Sequence, residues 1–183
     1  FENSFHVGSK DLLVIEGDEY TSSCLDNTSK FLYYNPTHTV VTSIELDHMD
    51  VFDTWEKQID TFEKLAMSTT GTLLLCGDTL SEIAPQLKTK AVKEEYGLGN
   101  FDWQVINIKI VDGGTSFDVL HEGKFFGDFF LPLVGTHYIQ DALAAIILAQ
   151  YAGAALEKIQ TALTNFKGVG QRFEIVDSSH GAI

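Results

Sequence analysis

Basic residues are scarce in this sequence. Its 12 lysines and arginines stand against 26 aspartates and glutamates, which gives a formal net charge of −14. Such a charge repels phosphate backbones, and no lysine- or arginine-rich stripe offsets it locally. The composition therefore argues against nucleic acid or an anionic membrane surface as a partner.

Long apolar runs, paired cysteines and the common catalytic motifs are also missing. The longest apolar run, Ala142–Ala149, is far shorter than the roughly 18–20 residues that span a bilayer, so no transmembrane segment is predicted. Cys24 and Cys76 lack the spacing of a metal site, and we expect both to be reduced thiols of a cytosolic protein. The sequence has no nucleophile elbow, no C-x-x-C or H-E-x-x-H motif, and no G-x-x-x-x-G-K-[ST] phosphate-binding loop.

The chain length favours one domain. Its 183 residues, 44% of them hydrophobic, suffice for one well-buried core. The first residues, FENSFHVGSK, have neither the charged start nor the apolar centre of a signal peptide. We interpret this start as a cut through a longer chain.

Apolar, β-branched runs alternate with helical patterns along the chain. Strands are predicted at Asp11–Ile15, Lys30–Tyr34, Thr39–Ile44, Thr72–Cys76, Val92–Tyr96 and Arg172–Val176, and helices at Trp55–Met67, Leu80–Leu87, Asp141–Tyr151 and Leu156–Phe166. Three further runs, Gln104–Val111, Thr115–His121 and Lys124–Leu131, are separated by glycine-containing turns that favour hairpins. The predicted fold class is α/β, with a mostly parallel sheet flanked by helices and an antiparallel β meander.

Two acidic clusters follow the first apolar runs and are candidates for a metal site. Glu16, Asp18 and Glu19 follow one run, and Asp47, His48 and Asp50 follow another. Carboxylate and imidazole ligands at neighbouring strand ends could hold a divalent cation that binds a nucleotide phosphate. By its spacing alone, the first cluster is better interpreted as a solvated acidic turn. Placing the charged groups of the second cluster together at a strand end is energetically unfavourable unless a metal, a ligand or solvent binds them.

Three further residues could face a ligand. His137 opens a predicted helix after a glycine, and Asp141 lies one turn later; both could instead cap or stabilise the start of that helix. Arg172 is one of few cations and could meet an anionic ligand or form a surface ion pair.

Four blocks in this order resemble the central, ATP-binding domain of the Mur ligases. They are Glu16–Glu19, similar to the family's E-A-D-E; Glu45–Asp50, similar to E-x-D-H-M-D; Gly135–Ala145, similar to G-x-H-N-x-x-N-x-x-A-A; and Gly168–Glu174, similar to G-x-x-R-R-x-E. The resemblance implies a P-loop NTPase-like fold. It also implies an ATP-dependent enzyme of peptidoglycan synthesis that forms an amide bond through an acyl phosphate.

The same resemblance assigns roles to individual residues. It implies that Glu16 and His48 are catalytic Mg²⁺ ligands, with Asp47 and Asp50 as their supports. Arg172 matches an arginine near the ATP phosphates, and His137 and Asp141 match residues of the nucleotide-binding helix. Tyr138, Asp141 and Gln171 replace two asparagines and an arginine of the pattern. Because an ionised aspartate accepts but does not donate hydrogen bonds, Asp141 predicts either altered base specificity or weak nucleotide binding.

Within the family, Tyr20 and the segment Asp26–Tyr34 look most similar to the murein peptide ligases. These enzymes join UDP-N-acetylmuramate to L-alanyl-γ-D-glutamyl-meso-diaminopimelate; UDP-N-acetylmuramate–L-alanine ligase is the alternative. We expect residues 1–170 to be the central domain without its phosphate-loop segment, and residues 171–183 to begin the link to a C-terminal domain. The sugar nucleotide and the peptide or amino acid would bind through other domains, so this chain alone should fold but not ligate.

Two functions of other classes fit the residues. A metal-dependent phosphohydrolase would use Glu16, Asp47 and His48, and His48→Ala would abolish its activity. A non-catalytic module would bind nucleotide or metal without turnover.

Overall fold

The structure is a computed structural model that describes residues 12–45 and 51–170. Its centre is a six-stranded sheet whose strands lie side by side in chain order. These strands are His38–Val41 (β3), Thr72–Cys76 (β4), Val92–Gly97 (β5), Trp103–Val111 (β6), Gly114–His121 (β7) and Lys124–Leu131 (β8). A separate two-stranded hairpin, Thr21–Ser23 (β1) and Asp26–Ser29 (β2), precedes the sheet. The helices are Trp55–Ser68 (α1), Gly77–Leu80 (α2), Thr136–Tyr151 (α3) and Leu156–Thr164 (α4).

Strand β4 is the most deeply buried element of the sheet. All five of its residues are buried, and it pairs in parallel with β3 on one side and β5 on the other. Leu73 and Leu75 pack in the core cluster that includes α1, whereas Leu74 and Cys76 pack in the cluster that includes α3. Because both faces are covered, each leucine is removed from water, which contributes about 1.5–3 kcal/mol per side chain.

The helix predicted at Trp55–Met67 is confirmed as α1. The Thr54 side chain accepts a hydrogen bond from the backbone N–H of Lys57 at 3.3 Å, so it caps the helix as its sequence position predicts. The predicted helices near the end of the chain are also confirmed. Helix α3 begins at Thr136, five residues before Asp141, and α4 ends at Thr164.

The antiparallel meander is confirmed. Strands β6, β7 and β8 pair in sequence order through two tight turns. Gly113 and Gly123 adopt positive φ angles of 80° and 74° in these turns, a conformation that costs glycine little. Strand β5 pairs with β6 in parallel only where the end of β5 meets the start of β6, so the short connection between them needs no crossover helix.

Three elements predicted from the sequence differ from those in the structure. Leu12–Ile15 are exposed and form no strand, because no described strand lies beside them to complete a hydrogen-bonded ladder. Lys30–Tyr33 is a 3₁₀ helix instead of a strand; its one buried side chain, Phe31, packs against Phe62 of α1. The helix predicted at Leu80–Leu87 is wrong: the single turn α2 ends at Leu80, and the N–H groups of Ile83 and Ala84 then form turns that return to the carbonyl of Leu80.

The strand predicted at Arg172–Val176 lies outside the described residues. Strand Thr39–Ile44 is confirmed in part, because β3 ends at Val41. With these corrections, the predicted α/β class with a mostly parallel sheet and a meander is confirmed. In the part of the chain that the structure describes, no helix is long and apolar enough to cross a membrane.

Candidate functional site

Asp78 lies just after β4 and joins three segments of the chain. Its Oδ2 atom accepts hydrogen bonds from the Leu98 backbone N–H at 2.7 Å and from Gln140 Nε2 at 2.8 Å. Its Oδ1 atom accepts a longer bond from the Gly99 backbone N–H, at 3.3 Å. The exit of β4, the loop after β5 and the start of α3 therefore meet at the carboxyl end of the parallel strands, where open α/β sheets bind their ligands.

The first two turns of α3 carry His137 and Asp141, which the sequence predicts to face a ligand. The rings of His137 and Tyr138 lie with their centroids 4.1 Å apart at an angle of 42°. Desolvation raises the pKa of the Asp141 carboxyl, and the nearby His137 opposes this rise. The fold thus disfavours the ionised form of this carboxyl.

Tyr96 is the second-last residue of β5 and lies near these groups. The residue is fully buried, and its hydroxyl makes no hydrogen bond of good geometry within the described ranges, although the Cys76 side chain interacts with it electrostatically. Burial raises the pKa of this hydroxyl, and Cys76, Asp141 and Asp78 add to the rise. A buried hydroxyl without a good hydrogen bond is unfavourable, so Tyr96 is a group for which a ligand or a water could supply the partner.

Three glycines give this edge its close packing. A methyl group on Gly77 would lie 2.2 Å from a carbon of the Phe101 ring, and one on Gly99 would lie 2.8 Å from that ring. A methyl group on Gly97 would lie 2.4 Å from Asp78 Oδ2. The ring of Phe101 and the carboxylate of Asp78 thus occupy space that any larger residue at these glycines would take.

The first acidic cluster lies around a separate, open pocket of about 420 Å³. Its lining consists of Glu16–Tyr20 and Tyr34, and it includes no residue of α3. Within it, Asp18 Oδ2 lies 2.6 Å from Lys30 Nζ, and Asp18 Oδ1 accepts the backbone N–H of Tyr20 at 2.9 Å. The pocket does not lie at a strand exit, contrary to the sequence interpretation, because residues 12–19 form no strand.

The predicted site residues are only partly brought together. His137 and Asp141 share one end of α3, and Glu16 lies with Asp18 and Glu19 in the acidic pocket. The second cluster, with Asp47, His48 and Asp50, lies outside the described residues, as do Gln171 and Arg172. Among residues 12–45 and 51–170, no group of three or more His, Cys, Asp or Glu side chains could hold a metal ion.

Asp78, Gln140 and Tyr96 are not among the residues predicted from the sequence. Asp78 had a detectable signal, because it follows the apolar strand Thr72–Cys76 in the same way that the selected acids follow their apolar runs. Gln140 and Tyr96 have no such signal in the sequence, because their roles depend on contacts with distant segments.

Comparisons with known proteins identify relatives of the chain. The family model described as "Mur ligase middle domain" matches residues 5–149. A curated UDP-N-acetylmuramate--L-alanine ligase from Endomicrobium trichonymphae is 33% identical over 180 residues, which cover 96% of this chain and 38% of that protein.

Two solved structures extend the comparison. The UDP-N-acetylmuramate:L-alanyl-gamma-D-glutamyl-meso-diaminopimelate ligase from Neisseria meningitides is similar with a TM-score of 0.73 and 30% identity, over 84% of this chain and 47% of that one. A MurF ligase from Thermotoga maritima in complex with ADP has a TM-score of 0.63 and 15% identity, over 79% of this chain and 34% of that one, and so shows similarity of fold alone. The chain therefore spans less than half the length of each of these proteins.

Proposed function

Because the chain belongs to the Mur ligase family, we propose that it is the nucleotide-binding part of an ATP-dependent ligase that forms an amide bond in peptidoglycan synthesis or recycling. The family match over residues 5–149 carries this proposal. The geometry supports it, since Asp78, Tyr96 and the start of α3 converge at the sheet edge where α/β folds bind nucleotides. The ADP bound to the MurF ligase of similar fold agrees with ATP as the cofactor.

For the acceptor substrate we propose the tripeptide L-alanyl-γ-D-glutamyl-meso-diaminopimelate, joined to UDP-N-acetylmuramate. This choice is supported by the likeness to the Neisseria meningitides ligase and by the segment Asp26–Tyr34. That segment contains β2 and the 3₁₀ helix at Lys30–Tyr33. L-Alanine is the second candidate, favoured by the 33% identity to the curated L-alanine ligase over almost the whole chain.

The proposed magnesium site combines Glu16 with His48. Glu16 fits this role in its chemistry, because it is an exposed carboxylate in an open pocket and Mg²⁺ prefers oxygen ligands. A bound Mg²⁺ would neutralise charge on the phosphoryl group that is transferred. Asp47 and Asp50 would support the ligands, Arg172 would pair with the phosphates, and His137 and Asp141 would face the base.

The domain limits follow the same proposal. Residues 1–170 form the central domain, and residues 171–183 begin the link to the C-terminal domain. Groups that bind the sugar nucleotide and the acceptor would then lie elsewhere in the protein. We expect the 183-residue chain to fold by itself and to show no ligation.

The test uses the full-length protein in which this chain occurs. Purified protein is given ATP, Mg²⁺, UDP-N-acetylmuramate and either the tripeptide or L-alanine, and both phosphate release and the amide product are measured. Amide product with the tripeptide, lost in Glu16→Gln and His48→Ala, is the expected result. Product with L-alanine alone would select the second candidate. Phosphate release without any amide product would contradict both and indicate a hydrolase.

A further inference from the structure

One carboxylate, that of Asp78, holds together segments that are distant in sequence. Leu98 and Gly99 are 20 and 21 residues away, and Gln140 is 62 residues away. The three donors are two backbone N–H groups and one side-chain amide, so an ionised carboxylate satisfies all of them at once. A loop, a strand exit and a helix are thereby fixed relative to each other.

The position of the carboxylate is itself fixed by the backbone around it. Gly97 ends β5, and a methyl group there would lie 2.4 Å from Asp78 Oδ2 and 2.8 Å from its Cγ. The absence of a side chain at Gly97 therefore lets Asp78 reach the loop after β5 and α3 together.

Helix α3 has no side-chain cap at its start. Its N-cap is Gly135, which provides no side-chain cap, and its first turn contains no acidic residue. Ile139 anchors the first turn by burial, with 2% of its surface exposed. Burial is non-directional, whereas a hydrogen bond to Gln140 fixes the rotation of the helix about its axis. The directions of His137 and Asp141 depend on that rotation.

We infer that Asp78 is a positioning residue, which acts through Gln140 to orient the start of α3 so that His137 and Asp141 face the nucleotide. Asp78 does not touch the nucleotide in this role. That His137 and Asp141 face a nucleotide rests on the proposed function. The orientation of α3 by Asp78 does not depend on it.

The test exchanges the polarity of the Asp78–Gln140 hydrogen bond in the full-length protein. In Asp78→Asn the charge is lost and one acceptor oxygen is replaced by an amide. In Gln140→Glu two carboxylates face each other. In the double variant, the amide nitrogen can take the position of Oδ2 and donate to the introduced carboxylate on α3, while the amide oxygen takes the position of Oδ1 and accepts the Gly99 N–H, so the connection to α3 returns. Asp102→Asn is the matched control, because Asp102 is also exposed and accepts a backbone N–H, that of Glu95 at 2.8 Å.

The KM for ATP should rise about tenfold in each single variant, which corresponds to the loss of one hydrogen bond to a charged group. We expect kcat to change less than KM, and the double variant and Asp102→Asn to stay near the wild-type KM. Thermal unfolding midpoints identify any variant that loses ATP affinity only through general destabilisation. Equal KM values in the wild type and both single variants, or no rescue in the double variant, would overturn the inference.

Amide hydrogen exchange separates this inference from the proposed function. Without nucleotide, residues 136–142 should exchange faster in both single variants than in the wild type, with wild-type rates in the double variant. Unchanged exchange in the single variants would overturn the positioning role. Faster exchange in a protein whose wild type binds no ATP would support the positioning of α3 and contradict the proposed function.

Discussion

Lys30 Nζ lies 2.6 Å from Asp18 Oδ2, and this ion pair closes the acidic segment onto the 3₁₀ helix that follows it. Two backbone bonds reinforce the closure, from the Lys30 N–H to the Tyr20 carbonyl and from the Phe31 N–H to the Asp18 carbonyl. The hydrogen bond to Asp18 raises the pKa of Lys30, so its charge persists throughout the neutral range. The Asp18 side chain therefore stabilises the local structure. Of the two acidic residues, Glu16 is the better candidate for a metal ligand.

Replacing Lys30 by methionine should loosen the acidic segment and change global stability little. Both partners are about 40% exposed, and exposed ion pairs contribute little because water and salt screen them. We expect faster amide exchange at residues 18–21 and an almost unchanged unfolding midpoint. Lys64→Met is the control, since Lys64 pairs with Asp60 at the same 2.6 Å but only within one turn of α1. Equal exchange at residues 18–21 in both variants would contradict the link.

Loss of the hydroxyl group should change the free energy of unfolding in opposite directions at two tyrosines, Tyr96 and Tyr151. Tyr96→Phe removes a buried hydroxyl that makes no hydrogen bond of good geometry in the described structure, so the free energy of unfolding should rise by up to about 1 kcal/mol. Tyr151 donates to Glu94 Oε2, and burial together with that bond raises the pKa of Tyr151 to about 12. Tyr151→Phe should cost about 1–2 kcal/mol, because it removes the bond to Glu94 and leaves that carboxylate the longer bond from Trp103 Nε1, at 3.3 Å. Urea unfolding measures both, and equal losses would contradict the assignment.

Asp141→Asn should stabilise the protein at neutral pH. Folding raises the pKa of Asp141 above the ordinary aspartate value of 3.8, so the folded state holds the proton more tightly than the unfolded state. Its contribution to stability is then most favourable below pH 3.8 and falls as the pH rises through the raised pKa. The advantage of the asparagine variant should therefore shrink as the pH is lowered.

Chemical unfolding of the Asp141→Asn variant at several pH values gives this comparison, with Asp112→Asn in the β6–β7 turn as the control. A constant difference between the variant and the wild type at all pH values would contradict it. Asparagine also returns a hydrogen-bond donor to the start of α3, so the variant should bind ATP more tightly at neutral pH.

Gly77→Ala should destabilise the protein by about 1–3 kcal/mol, the usual cost of overpacking, because the added methyl group would lie 2.2 Å from the Phe101 ring. Phe101→Ala removes that ring, so Gly77→Ala should cost much less in the Phe101→Ala background. A double-mutant cycle of unfolding free energies measures the coupling. Additive losses would show that the ring does not limit the residue at position 77.

Local patterns predicted those parts of the fold that local physics determines. The run TLLLC has the length and continuous apolarity of a strand covered on both faces, and the glycine turns of the meander fix its hairpins. Leu12–Ile15 has the same apolar character, but a strand also needs a neighbour, and sequence pattern does not supply one. Lys30–Tyr33 became a 3₁₀ helix because only Phe31 is drawn into the core.

The candidate site was predictable to a smaller extent. His137 and Asp141 could be found because they open a helix after a glycine, and the structure places them at the expected end of α3. Asp78 shares the strand-exit pattern of the acids that were selected, and only its bond to Gln140 distinguishes it. That bond joins residues 62 positions apart, which no short-range pattern encodes.

The division of the sheet into a parallel half and an antiparallel half has a kinetic consequence. The meander β6–β8 consists of neighbouring hairpins, which close on a scale of about 1–10 μs, whereas β3, β4 and β5 pair only after the intervening segments have been closed into loops. We expect the antiparallel half to assemble first and the parallel half later. The edge that carries Asp78 belongs to the later half, so nucleotide bound there would stabilise the part of the chain that is slowest to form.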